Sequence, residues 1–224
     1  MNTLLKGVVG STAYGLARPG SDVDRLAVHA IDTGTLFTLA SRPADTITSK
    51  DPDIASHELH KALSLMFGCN PTVMEILWID DWEEMNQFGE ELVDMRTDFL
   101  CQGRVRDAYL GFATQQFKRL EIRGRFQGSL DTRREKHARH LLRMVEQGVH
   151  LYRTGRLKVR VDNPDYLHGA AKTIADSPAG IEIAKEVLAQ AEEDFDAAIS
   201  PLPLATSTEH AEDLIQRVRK HYWK

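Results

Sequence analysis

The sequence predicts an α+β protein, and three features of it carry that expectation. Within the first hundred residues, short apolar runs alternate with Gly, Pro, Asn and Asp breaks, as strands and short helices require. From about residue 101 the apolar spacing becomes helical almost throughout. No internal repeat and no long low-complexity linker interrupts the chain of 224 residues, so the change near residue 100 marks a change of class. We therefore expect residues 1–100 as one domain and residues 101–224 as a helical substrate-binding or lid domain.

In chain order, "LLKGVV" reads as a strand that stops at Gly10, and "DRLAVHA" reads as a second strand beginning near Asp24. A further extended segment is expected within "ADTITSKDPDIAS". "SHELHKALSLMFG" has the spacing of a helix capped by Ser56 and ended by Gly68. Asn70-Pro71 predicts a turn with Pro opening the helix "PTVMEILWI", and the acidic helix "WEEMNQFGEELVDMR" follows. Two long helices are expected in "RVRDAYLGFATQQFKRLEI" and "TRREKHARHLLRMVEQGVHLYRTG", the second ended by Gly155. "LKVRV" suits a short strand or an extended connector. Three more helices are expected over Asp165–Asp176, Gly180–Ala198 and Glu209–Trp223, with "SPLPLATST" breaking the last two.

Composition is ordinary for a folded domain, at 42% hydrophobic and 27% charged residues. No apolar run nears the roughly 20 residues of a membrane span, and the N-terminus lacks the pattern of a signal peptide. Cys69 and Cys101 are the only cysteines and form no metal-type or redox-type pair. These features predict a cytoplasmic chain with reduced thiols. The net charge of −5 is unevenly spread: 7 Lys/Arg against 16 Asp/Glu in residues 1–100, 15 against 5 in 101–161, and 6 against 12 in 162–224. A basic middle between acidic flanks suggests an anionic partner, or else a set of solvated helix faces.

The most informative stretch is "VVGSTAYGLARPGSDVDRLAVHA". An apolar strand runs into Gly10-Ser11, and after ten residues Asp22-Val23-Asp24 opens the next strand. Residues two apart on a strand share a face, which would point Asp22 and Asp24 together. Two such carboxylates repel unless a cation lies between them, and an oxygen-only pair suits Mg²⁺ shared with substrate phosphates. Gly10 permits close backbone approach to a phosphate, and the Ser11 hydroxyl can donate to it. A phosphate cradle beside metal carboxylates is the equipment of two-metal nucleotidyl transfer.

This order and separation resemble the DNA polymerase beta superfamily of nucleotidyltransferases, and "GSTAYGLARPGSDVDRLAV" with "DIASHELHKALSLMFGCNPTVMEILW" resembles its predicted nucleotidyltransferase subfamily of bacteria and phages. The resemblance covers residues 4–79 well and extends loosely to "KHARHLLRMVEQG". Arg25 departs from the general pattern, which has an apolar residue there. The resemblance implies a polymerase-beta-like core, a nucleoside triphosphate (NTP) substrate such as ATP, a two-metal Mg²⁺ site and a third carboxylate on a neighbouring strand. Asp53 and Glu58 are the two candidates for that carboxylate. Asp53 is otherwise a turn residue, and Glu58 otherwise a favourable charge at a helix N-terminus.

Other residues carry two readings each. Tyr14 is core or lines the nucleotide pocket, and Arg18 approaches a triphosphate or is solvated. His57 and Lys61 would share a helix face, with Lys61 offsetting the carboxylates or binding phosphate. Glu75 sits among apolar neighbours as a partner of a backbone group or of Lys61. Lys136, His140 and Arg143 recur at helical spacing, with His137 beside them, as a stripe for phosphates or as a structural face. No zinc spacing, Walker loop or Gly-x-Gly-x-x-Gly occurs. The expected reaction moves a nucleoside monophosphate from an NTP to an acceptor hydroxyl or phosphate, with pyrophosphate released. The basic segment favours an anionic acceptor, such as a nucleic-acid end. The rival expectation is a nucleotide- or RNA-binding regulator of the antitoxin type, without turnover.

Overall fold

A computed structural model describes residues 2–39, 43–121 and 130–223. The chain divides into two compact units: residues 1–100 together with 205–224, and residues 101–204. The expected second domain ran to the C-terminus, but its last helix belongs to the first unit, for reasons of packing given below. Among the described residues the fold is mixed α+β, with one five-stranded sheet and nine α-helices.

In the first unit the strands are β1 (Asn2–Val8), β2 (Arg25–Ala30), β3 (Thr46–Lys50), β4 (Asp53–Glu58) and β5 (Glu84–Met85), ordered β3-β4-β2-β1-β5. β2 and β4 run parallel, and the other pairs are antiparallel. The single extended segment expected in "ADTITSKDPDIAS" is a hairpin, β3–β4, joined by Asp51-Pro52. β1 carries an irregularity between Thr3 and Leu5, which breaks the strand's alternation and lets both Leu4 and Leu5 reach the core.

The helices of this unit are α1 (Gly10–Ala13), α2 (Leu59–Phe67), α3 (Pro71–Met74), α4 (Gln87–Asp94) and α9 (Glu209–His221). Ser56 is not the cap of α2. It lies in β4 with His57, and Glu58 caps the helix instead, its Oε2 accepting from His60 N at 2.9 Å. The reason is register: β4 stays paired with β2 as far as Glu58 opposite His29, so the helix cannot start earlier. His57 and Lys61 therefore share no helix face. Asn70 and Asn86 cap α3 and α4, each accepting from two backbone N–H groups. α3 is one turn long and continues as a 3-10 turn over Glu75–Leu77.

α9 belongs to this unit because its backbone and side chains find partners there. Thr33 Oγ1 donates to Arg219 O at 2.7 Å, and Thr33 N to Tyr222 O at 2.9 Å. Phe88 of α4 packs edge-on to His221 with ring centroids 5.2 Å apart, and Arg217 binds both carboxylate oxygens of Glu91.

The second unit holds α5 (Gln102–Glu121), α6 (Leu130–Thr154), α7 (Pro164–Asp176) and α8 (Gly180–Ala197). Ile122, the last residue of the helix expected there, lies outside the described residues. Leu120, Ala138, Leu141, Ala171, Ile174 and Ala184 form its core. Small residues let α5 and α6 approach closely: a Cβ at Gly148 would lie 2.6 Å from the Cβ of Tyr109. Gly155, at φ +70°, ends α6 in a conformation that other residues adopt at a cost. "LKVRV" is an extended connector and pairs with no strand among the described residues. Leu157, Val159 and Val161 alternate inward from it, and Gln147 Nε2 donates to the carbonyls of Lys158 and Val159.

Candidate active site

The motif that opened the functional question sits where β1 and β2 meet. β1 ends at Val8, Val9 N donates to Asp24 O at 3.0 Å, and α1 begins at Gly10. Gly10 has φ +68°, and a Cβ added there would overlap the carboxylate of Asp24, with Cγ only 3.1 Å away. Two independent constraints thus demand glycine, one from the backbone and one from the carboxylate lodged on it. Tyr14 N returns to Gly10 O and Leu16 N to Ser11 O, which closes a compact turn around a half-exposed Ser11.

The two aspartates are less alike than strand alternation predicts. β2 starts at Arg25, so Asp22 and Asp24 lie in the irregular segment before it. Asp22 is exposed and Asp24 half-buried. Arg25, the departure from the expected apolar residue, is held by Glu83, with Nε 2.8 Å from Oε1.

Register places the third-carboxylate candidates on opposite faces. Arg25 pairs with Ile54 and His29 with Glu58, so Asp24 and Asp53 each directly precede the first pair of the parallel ladder. Alternation along β4 then puts Asp53 and Glu58, five positions apart, on opposite faces. Asp53 is exposed, whereas Glu58 is 2% exposed and doubly engaged: Oε2 caps α2, and Oε1 accepts from Arg219 Nη2 at 2.5 Å. Beside Glu58, His29 Nδ1 lies 2.7 Å from Ser56 Oγ, and burial pushes the His29 pKa down. Sequence reasoning missed Arg219 and this polar cluster, because nothing local in "DRLAVHA" or in the last helix signals a partner so distant in the chain.

Of the remaining expected residues, Tyr14 is buried, Glu75 is buried in its 3-10 turn, and Arg18 and Lys61 are exposed. Lys61 lies near enough to His57 to add to the lowering that burial causes there. In the second unit the stripe Lys136, His140, Arg143 grades from surface to interior. Lys136 is exposed and His140 half-buried, but Arg143 is 2% exposed and donates to Gln147 Oε1 at 2.7 Å. Its side chain thus engages the glutamine that holds the 157–161 connector.

Among the described residues no three His, Cys, Asp or Glu side chains form a metal cage. A hard divalent ion does not require one, since Mg²⁺ keeps several waters and is bound through one or two carboxylates plus substrate phosphates. The donors present fit such an ion: they are oxygen-only, at adjacent strand ends, with Asp24 fixed against Gly10 and Asp53 open to solvent. Among the described residues no helix is long and apolar enough to cross a membrane.

A comparison with curated proteins finds no match. Residues 1–172 match the family RlaP, described as an RNA repair pathway DNA polymerase beta family. That match spans β1 through most of α7 and so includes the Gly10-Ser11 turn, both aspartates and β4. The chain belongs to this family, and with it to the DNA polymerase beta superfamily, a group associated with nucleotidyltransferase-like function.

Proposed function

We propose that this chain is a Mg²⁺-dependent nucleotidyltransferase that transfers a nucleoside monophosphate from an NTP to an acceptor hydroxyl or phosphate. The observation that carries the reading is the seat of Asp24 on Gly10, with Asp53 opening the strand that pairs in parallel with β2. In the reaction an acceptor oxygen forms a bond to the α-phosphorus, the bond from that phosphorus to the bridging oxygen of the β-phosphate breaks, and pyrophosphate leaves. Asp22 and Asp24, with Asp53, are the residues that would hold Mg²⁺, which when bound supplies positive charge to the phosphate oxygens.

The chain's own groups do the remaining work. Gly10 seats the Asp24 carboxylate, and the Ser11 hydroxyl donates to a phosphate. Asp53 takes the proton of an acceptor hydroxyl, a role that its exposure favours and that the engagement of Glu58 denies to Glu58. Lys61 offsets part of the carboxylate charge, and Tyr14 packs behind the turn. The family description, RNA repair, supports an RNA end as acceptor. A cytoplasmic setting is in keeping with two buried free cysteines.

The test is incubation with α-labelled NTPs, Mg²⁺ and RNAs bearing different ends. Labelled RNA with stoichiometric pyrophosphate, lost on chelation, is the expected result. Tight nucleotide binding with no product from any NTP would overturn the enzyme in favour of a binding regulator.

A further inference from the structure

We propose that the exposed face shared by α5 and α6 binds the phosphodiester backbone of a single RNA strand, through Arg119, Arg133 and Lys136. The choice of RNA as occupant rests on the reading above, but the geometry is independent of it. α5 and α6 are tied side by side by His137 Nδ1, 2.9 Å from Gln116 Oε1. Arg119 lies one turn beyond Gln116 on α5, and Arg133 and Lys136 flank His137 on α6. All three cations are exposed.

What distinguishes this face is the sorting of charge within the unit. Several other cations of the unit meet carboxylates: Arg106 with Asp196, Arg153 with Asp194, Lys158 with Asp162 and, on α6 itself, Arg139 with Glu135. Around His137 and His140 they meet each other. Burial and then Arg119, Lys136 and Arg133 lower the His137 pKa, and no carboxylate opposes them among the described residues. His140, lowered by burial and by Arg143, Lys136, Arg139 and His137, is pushed to about 3. Such like-charge crowding costs free energy unless an anion relieves it. The cations also form a row rather than a point. Arg133 and Lys136 are three residues apart on α6, about 4.5 Å along the helix, and Arg119 extends the row onto α5, which suits neighbouring phosphates of a strand. Strand binding of this kind is dominated by counterion release, with a salt slope of about −0.7 per phosphate neutralised.

The experiment is fluorescence anisotropy of a labelled oligouridylate with the full chain, in chelator and without NTP, over about 50 to 200 mM salt. Arg119→Gln, Arg133→Gln and Lys136→Gln should each weaken binding several-fold at low salt and flatten the log–log slope by about 0.7. The triple variant should lose binding by ~100-fold or more at an unchanged melting temperature, and Arg133→Lys should keep the slope. Wild-type affinity in the triple variant would overturn the proposal. So would equal losses in Arg106→Gln and Arg153→Gln, whose cations are already paired, and so would displacement of the RNA by low concentrations of UTP, which would make the face a nucleotide site. Because no turnover is involved, a chain that binds RNA here but releases no pyrophosphate refutes the transfer reaction and leaves this face standing.

Discussion

Arg219 Nη2 donates to Glu58 Oε1 at 2.5 Å, joining the last helix to the end of β4 across 161 positions of sequence. Glu58 is almost wholly buried, and its second oxygen caps α2, so both lone-pair sets are spent on structure. Removing one partner of such a pair strands a buried charge, at a cost of about 3–5 kcal/mol. Arg219→Ala is therefore expected to destabilise the first unit by about 3 kcal/mol, read as a lower midpoint in urea unfolding. An unchanged midpoint would show that α9 is held by its Thr33, Phe88 and Glu91 contacts without this ion pair.

Asp53 and Glu58 should part in opposite directions. Asp53→Asn is expected to lower turnover by ~10²-fold or more with an unchanged melting temperature, since the side chain is exposed and its loss removes a base and a metal ligand. Glu58→Gln should lower the melting temperature first, and turnover only as the fold is lost. Kinetic loss in Glu58→Gln at full stability would move the role to Glu58.

Asp22→Asn and Asp24→Asn are each expected to cost at least ~10²-fold in turnover, the effect of losing metal charge stabilisation in the transition state. Asp22 is exposed, so its variant should fold as well as the parent. Near-parental turnover in either, measured by pyrophosphate release, would exclude that carboxylate from the site.

Gly10→Ala probes the seat of Asp24 directly. The added methyl meets the carboxylate, and the positive φ adds strain of about 1 kcal/mol or more. Activity should fall well beyond what the shift in melting temperature explains. Restoration of activity by pairing it with a shortened side chain at position 24 is not expected, because the carboxylate itself is needed.

His140 should make the helical unit sensitive to acid. Its folded pKa lies below the unfolded value, so the unfolded chain takes up the proton first. Stability is complete above about 6.5 and is lost as pH falls from there toward about 3. His140→Gln should flatten this part of the stability profile, measured by thermal melts across the range. Arg143→Ala, by contrast, should destabilise at every pH in that range, because Arg143 is buried against Gln147 and supports the connector.

Legibility in the sequence followed the range of the forces involved. The strand–Gly–Ser–Asp-x-Asp order, the helical second half and the turn at Asn70-Pro71 depend on neighbours within a few residues, and periodicity and spacing display such forces directly. The helix at Ser56 was misplaced because local propensity favours a cap there, while the parallel ladder between β2 and β4 prolongs the strand to Glu58. Asp22 and Asp24 were drawn onto one strand face by the same local logic, but pairing begins only at Arg25. Tertiary structure alone decided which carboxylate is exposed and which is buried, since the ion pair that occupies Glu58 comes from the far end of the chain. It also decided that Arg143 lies inside and Arg119, Arg133 and Lys136 outside. Helical spacing shows which residues share a side, but only the packing of α5 against α6 determines how much of that side is covered.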